Sequence, residues 1–227
     1  MLICIISFIY SVYGLNKQNK DLDKKIKLNN YYSNISKDSY KYVNIIDEYR
    51  KIFNNNDIVG ILNINSLDIS SLIVQGSDNE YYLNHLENKE SSIYGSLMLD
   101  YRANLNNSKI NLIYGHMSNS DATPFKKLDK YLDYDFYKDN KLIEITDEYN
   151  TYKYEIFSVA KISKNEYRHL QVKFNNEDEL LDQYNWFKEI SIYKSDINLN
   201  SSDNVLILQT CTKNSDEFIL VVARQDI

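Results

Sequence analysis

Cysteine is the first scarcity. The chain holds two cysteines in 227 residues, and one of them, Cys4, lies in an apolar N-terminal run, so no internal disulfide is expected and Cys211 reads as a free thiol. No pair of histidines or cysteines has metal-ligand spacing, so a zinc site would have to be assembled from scattered residues, and neither metal nor cofactor is expected. Positive charge is not in excess: 26 Lys and Arg face 32 Asp and Glu, a net charge of −6. With no clustered basic face, nucleic acid is not an expected partner. The motifs GxSxG, HExxH, GxxxxGKS/T and GxGxxG are all missing, which removes the nucleophile elbow, the helical zinc site, the P-loop and the dinucleotide fingerprint. There is no internal repeat, heptad run or low-complexity linker. Glycine and proline number only five and one, so Asn, Asp and Ser carry much of the turn chemistry.

What is present begins with MLICIISFIYSVYGL, apolar from Met1 to Leu15, followed by the charged stretch KQNKDLDKKIK. Such a start is a membrane anchor or signal segment rather than part of a fold. The run is shorter than the roughly 20 residues that span a bilayer, no Lys or Arg precedes it, and no small-residue cleavage site follows. The expectation is an uncleaved anchor with its charged flank over residues 1–25, everything behind it lying outside the cell. Deleting Met1 to Lys25 is then expected to leave a folded, soluble protein with unchanged chemistry. From Leu22 to Phe53 the pattern turns helical: Ile35, Tyr42, Ile45, Ile46, Tyr49 and Phe53 recur at three- and four-residue intervals, one apolar stripe that would pack on the main domain. Asn54 to Asp57 end it, so residues 26–56 form an N-terminal helical segment.

Residues 57–227 read as the main domain, a size that buries a proper core. Short apolar runs bounded by Asn, Asp, Gly or Ser predict strands at Ile58 to Ile64, Ser71 to Gln75, Tyr81 to Leu83, Ser96 to Leu99, Ile110 to Tyr114, Leu142 to Thr146 and Tyr152 to Ile162. Two more follow at Val205 to Leu208 and Phe218 to Ala223. Pro124 to Leu128 predicts one helical turn, and Glu177 to Ile190 a surface helix with Leu180, Leu181, Tyr184 and Phe187 facing inward. About eight strands at this spacing, with helices inserted, predict a mainly β fold closed or nearly closed into a barrel.

The chemistry centres on VLILQTCTKNSDEFILVVAR, Val205 to Arg224. Cys211 stands where a buried strand opens into a polar loop, a rigid mount with an accessible face, as a nucleophile requires; a buried structural cysteine is the alternative. A free thiol is only a few per cent ionised at neutral pH, so a catalytic cysteine usually has a histidine close by. Three are available. His116 ends its apolar strand in NLIYGHM as Cys211 ends its own, and two strand ends on a barrel can meet at one rim. His85 and His169 lie in polar or loop segments without that constraint.

These residues resemble the sortases, and among them class B. LQTC at Leu208 to Cys211 is similar to the family's TLxTC signature with Ile207 in place of the leading Thr, and YGH at Tyr114 to His116 matches its histidine motif. VQGSDNEYYLNH from Val74, GSLMLDYR from Gly95, and the long insertion between Ile162 and Val205 also look like class B. The resemblance implies an eight-stranded sortase-like β-barrel with an N-terminal helix. It implies a membrane-anchored cysteine transpeptidase of a Gram-positive cell. Such an enzyme cleaves the C-terminal sorting signal of secreted proteins through a thioester and joins them to an amine of peptidoglycan or its lipid-linked precursor. Cys211 would be the nucleophile, His116 the acid and base, and Thr210, Tyr167 and Ser163 would grip the sorting peptide. One departure stands out. Where sortases place an arginine at the start of the final strand, this chain has Glu217 and Phe218. Arg224 lies six residues further on, roughly 20 Å away along a strand, beside Val205 if the strands are antiparallel. Arg168, Lys213 or backbone N–H groups would then have to serve. A thiol hydrolase and a weak or inert sortase-like binding domain are the alternative readings.

Overall fold

The computed structural model describes residues 14–27, 44–118, 123–212 and 216–226. The apolar run from Met1 to Tyr13, Lys213 and the helical positions Ile35 and Tyr42 lie outside the described residues. Residues 14–27 are helical and form α1. Among the described residues no helix is long and apolar enough to cross a membrane.

Helix α2, Ile45–Phe53, is defined at both ends. The Asn44 side chain accepts from the backbone N–H groups of Ile46 and Asp47, satisfying donors that a helix start leaves free. Asn54 closes it in the left-handed region at φ 47°, a conformation that Asn tolerates. Of the predicted stripe, Ile46, Tyr49 and Phe53 are buried here and Ile45 is half-buried. Ile46, Tyr49 and Phe53 pack on Ile58, Leu72, Val74 and Met98 at one flank of the sheet.

Eight strands follow: β1 Ile58–Ile64, β2 Ile69–Val74, β3 Leu97–Leu99, β4 Ile110–Tyr114, β5 Leu142–Thr146, β6 Thr151–Ser163, β7 Val205–Cys211 and β8 Glu217–Gln225. They close into a barrel in the order β1-β2-β3-β4-β7-β8-β6-β5, with β5 pairing back onto β1. Closure leaves no free sheet edge. The pairs β2/β3 and β4/β7 are parallel and the rest antiparallel. Successive side chains of a strand point to opposite faces, and β7 shows what each face meets. Leu206 and Leu208 enter the barrel interior with Leu62, Ile143, Ile156 and Val221. Val205 and Ile207 face outward onto α4, Glu177–Glu189, whose Leu180, Tyr184 and Phe187 cover them. Leu181 of the predicted inward set is only half-buried.

Two segments differ from expectation. Tyr81–Leu83 is not a strand but a 3-10 turn. The Asp78 carboxylate accepts from the backbone N–H groups of Glu80 and Tyr81 and curls the chain there. Only Tyr82 of the triplet is buried, its hydroxyl donating to Asp57 at 2.7 Å. The turn at Pro124 runs on as a 3-10 helix to Leu132 and is followed by α3, Tyr134–Asp139. Phe125, Leu128 and Tyr131 join the buried cluster that fills the barrel interior, so these helices belong to the core.

Candidate active site

Strands β4 and β7 run parallel in a register that pairs Tyr114 with Gln209. The Gly115 N–H then donates to the Gln209 carbonyl at 3.0 Å, carrying the pairing one residue past β4. A Cβ on Gly115 would stand 2.4 Å from Phe125 and 2.6 Å from Leu97, both interior side chains. Position 115 therefore points inward, and His116 after it points to the outer face. On β7 the outer face carries Val205, Ile207, Gln209 and, by the same alternation, Cys211. His116 and Cys211 each lie two residues beyond the Tyr114–Gln209 pair, at the same end of these two neighbouring strands.

Cys211 is a free thiol, partly accessible. The His116 ring is pinned: its Nε2 lies 2.7 Å from the Leu83 carbonyl. A carbonyl only accepts, so Nε2 bears a proton, and in the neutral ring Nδ1 is the nitrogen left with a lone pair. His85 is held differently, its Nδ1–H donating to the Tyr81 carbonyl and its ring stacked on Tyr81 at 3.9 Å. It serves its own turn. His169 is 1% exposed, and burial holds its imidazole below the ordinary histidine range, opposed by its polar neighbours Gln209 and Glu166. Neither of its ring nitrogens reaches a hydrogen-bond partner. It underlies the rim, with its ring 5.9 Å from that of Phe218.

The remaining predicted residues divide. Ser163 ends β6 and pairs with Glu217, and Tyr167 is 65% exposed in the loop beyond it; both border the rim from the β6–β7 connection. Thr210 is 2% exposed, pairs with interior Ile219, and turns its side chain away from the Cys211 face. A peptide on the outer face would meet Thr210 through its backbone.

Register places Arg224. On β8, Phe218 pairs with Cys211 and Arg224 with Val205, so Arg224 stands at the far end of the sheet from the thiol. Arg168 is engaged elsewhere, bonded to Asp182 and Gln183 and laid over the Trp186 ring. Sequence reasoning missed Lys164, whose ammonium lies 5.6 Å from the centroid of the Phe218 ring. Nothing in the local sequence marks it, because the ring it covers is 54 residues away and comes near only through the β6/β8 pairing of Ile162 with Phe218.

A buried strut supports this face. Asp100, fully buried, accepts from Arg102 at two positions, from the Tyr114 hydroxyl at 2.8 Å and from Asn79 at 2.9 Å. Burial alone would push its carboxyl up, but Arg102, with Tyr114 and Asn79, holds it down at about 2. Arg102 also donates to the Leu170 carbonyl at 2.9 Å, tying the segment after β3 to the loop that carries His169. Among the described residues no three His, Cys, Asp or Glu side chains are grouped to hold a metal.

A lone thiol and a tautomer-fixed histidine at the rim of a closed barrel can do nucleophilic acyl chemistry, and comparison with known proteins identifies the lineage. The family described as Sortase domain matches residues 62–226. The chain belongs to the sortase family, class B. It is 31% identical over 174 residues to Sortase B of Staphylococcus aureus, covering 75% of this chain and 70% of the relative. To Sortase B of Listeria monocytogenes it is 33% identical over 164 residues, covering 71% and 65%. The chain thus spans about two thirds of the length of these two curated relatives. A crystal structure of Sortase B complexed with triglycine superposes with a TM-score of 0.80 at 27% identity, covering 93% of this chain and 98% of that one. The sortase barrel and a cysteine transpeptidase activity follow from these findings. In this sortase, the motif residues Cys211, which ends β7, and His116, which follows β4, stand at the same end of the parallel pair.

Proposed function

We propose that this sortase is anchored by its N-terminal apolar run in the cell membrane, with its barrel outside. There it cleaves a C-terminal sorting signal of secreted proteins and passes the acyl group to an amine of peptidoglycan or its lipid-linked precursor. The observation that supports the reading is the parallel register of β4 and β7, whose last pair is Tyr114 with Gln209, two residues before His116 on one strand's continuation and Cys211 on the other. The Cys211 thiol gives its proton to His116 Nδ1, the thiolate attacks the scissile carbonyl, and a C–S bond forms. As the tetrahedral intermediate collapses, the C–N bond breaks and the leaving amine takes that proton from Nδ1. The acceptor amine then attacks the thioester and loses a proton to the same nitrogen, and the C–S bond breaks to release the thiolate. Throughout, Nε2–H stays on the Leu83 carbonyl, so the ring need not turn between the two half-reactions. The complex of a relative with triglycine supports an amine acceptor of small, unhindered form. Tyr167 and Ser163 flank the peptide from the β6–β7 connection.

One observation favours a second reading, a weak transferase that loses acyl groups to water: β8 offers the thiol an aromatic ring, Phe218, and no arginine. Incubation with a sorting peptide, with and without the acceptor amine, separates the two by the ratio of amide to hydrolysed product. Cys211→Ala should abolish thioester formation with the fold intact, and His116→Ala should reduce it by about 10²-fold or more. Thioester formation by the Cys211→Ala protein would remove the assignment.

A further inference from the structure

Helix α1 touches the domain along one face only. Asp21 and Lys25 are 5% and 3% exposed, while Leu15 and Ile26 on the same helix remain open to solvent. Lys25 Nζ donates to Glu87 Oε1 at 2.6 Å and to the Gly95 carbonyl at 3.2 Å. Asp21 accepts from the Ile93 N–H, and Lys24 pairs with Glu90 at 2.7 Å. Positions 21, 24 and 25 share one side of a helix, and all three grip one segment, residues 87–95.

That segment is one arm of a hairpin whose other arm holds the histidine. The arms are locked by Ser92 N–H to the Asn84 carbonyl, Ser96 N–H to the Tyr82 carbonyl, and the Ser96 hydroxyl to the His85 carbonyl. Gly95 adopts φ +55°, and a Cβ there would stand 2.6 Å from the Tyr82 oxygen and 2.7 Å from the Leu83 oxygen. The Leu83 oxygen is the acceptor of His116 Nε2–H. Lys25 therefore grips the Gly95 carbonyl while the Gly95 backbone abuts the oxygen that orients the active-site imidazole. Glu87 is 1% exposed, and its second oxygen has no partner, so the carboxylate depends on Lys25 to stay where it is.

We infer that Lys25 is a positioning residue. By docking α1 on the 82–96 hairpin through Glu87 and Gly95, it sets the Leu83 carbonyl and with it the tautomer and orientation of His116. The inference rests on the transpeptidase reading for its kinetic consequence. It gives the N-terminal helix a part in catalysis beyond tethering, so a deletion of Met1 to Lys25 should not leave the chemistry unchanged.

The test uses the full chain with Lys25→Met/Glu87→Met, which removes both buried charges together. Three quantities are measured: kcat and KM for transfer from a sorting peptide to the acceptor amine, the His116 tautomer from long-range 15N–1H couplings of the ring, and the melting temperature. The expected result is a kcat lowered by about tenfold, the scale of a misoriented acid–base group, with KM within about twofold and the single Nε2–H form replaced by a mixture. Lys25→Arg, which keeps the ion pair, should restore both. A double variant that melts lower yet keeps kcat and the single tautomer would overturn the inference, since a purely structural pair moves only the melting temperature. If the double variant does not fold, Asp21→Ala/Lys24→Ala loosens the same dock without stranding a buried charge, and the same two readouts decide. The tautomer does not depend on turnover. A parent protein that transfers no acyl group would overturn the proposed reaction, while the ring couplings would still judge the positioning.

Discussion

Phe218 stands across from Cys211, so whatever stabilises the developing oxyanion must come from elsewhere. Lys164 lies over that ring from the β6–β7 connection. An ammonium held on an aromatic face is attracted by the ring quadrupole, and from there it faces the side of the sheet that carries the thiol. Lys164→Met should slow thioester formation by about tenfold, with Lys164→Arg retaining most of the rate. Arg224→Ala should leave the rate within about twofold, because Arg224 pairs with Val205 at the other end of the strand. Burst kinetics with a sorting peptide compare the three, and a loss in Arg224→Ala as deep as that in Cys211→Ala would contradict the register argument. His169 makes a different prediction. Burial lowers its pKa, so the unfolded chain binds a proton more readily than the folded one. Its contribution to stability is present above the ordinary histidine value, about 6.5, and is lost as pH falls through the lower folded value. His169→Phe should flatten that part of a urea-denaturation pH series, and an unchanged slope would show that the ring is protonated in the fold.

At the scale of elements, the connection from β3 to β4 does more than link strands. The Asp100–Arg102 strut spans from Tyr114, two residues before His116, to the Leu170 carbonyl in the β6–β7 connection. Its carboxylate, held at about 2 against an ordinary 3.8, contributes about 2 kcal/mol of stability at neutral pH. Because the folded pKa is the lower one, that contribution is full above 3.8 and is lost as pH falls toward 2. Asp100→Asn should cost about 2 kcal/mol at pH 7 and much less near pH 2, which paired urea titrations would show. The motif containing Asp100 is visible in the sequence, but its work is not, since Arg102 meets Leu170 across 68 residues of chain. The same distinction separates what could be read in advance from what could not. Aliphatic runs such as Val205 to Leu208 declare buried strands through composition alone, and Cys211 and His116 declare themselves by ending such runs. Tyr81–Leu83 has the composition of a strand, yet the Asp78 side chain overrides it. Lys25 reads as one charge in a flank of many, and only the fold reveals that it is the cation bonded to buried Glu87.

At the scale of the whole molecule, two apolar clusters share the same strands. The barrel interior uses Leu206, Leu208, Val221 and Ala223, and the outer cluster beneath α4 uses Val205, Ile207, Leu220 and Val222. Alternating residues of β7 and β8 thus belong to different cores, and neither core can open without disturbing the strands that hold the other. The insertion that carries α4 is joined to the barrel by polar contacts as well. The Ser158 hydroxyl donates to the Phe187 carbonyl at 2.6 Å, and the Tyr184 hydroxyl lies 3.3 Å from the carbonyl of Lys109, the residue before β4. The fold should therefore unfold as one unit although its helical insertion lies outside the barrel. Phe187 is fully buried between α4 and the sheet, so Phe187→Ala should cost about 3–5 kcal/mol. The chain's single tryptophan, Trp186, reports on α4, far-ultraviolet dichroism on the strands, and Cys211 alkylation on the rim. In a urea titration of Phe187→Ala the three transitions should shift together to lower denaturant, as all-or-none unfolding requires. A Trp186 transition that precedes the other two, with the strand signal and thiol protection retained, would show that the α4 insertion melts on its own and that the shared strands do not couple the cores.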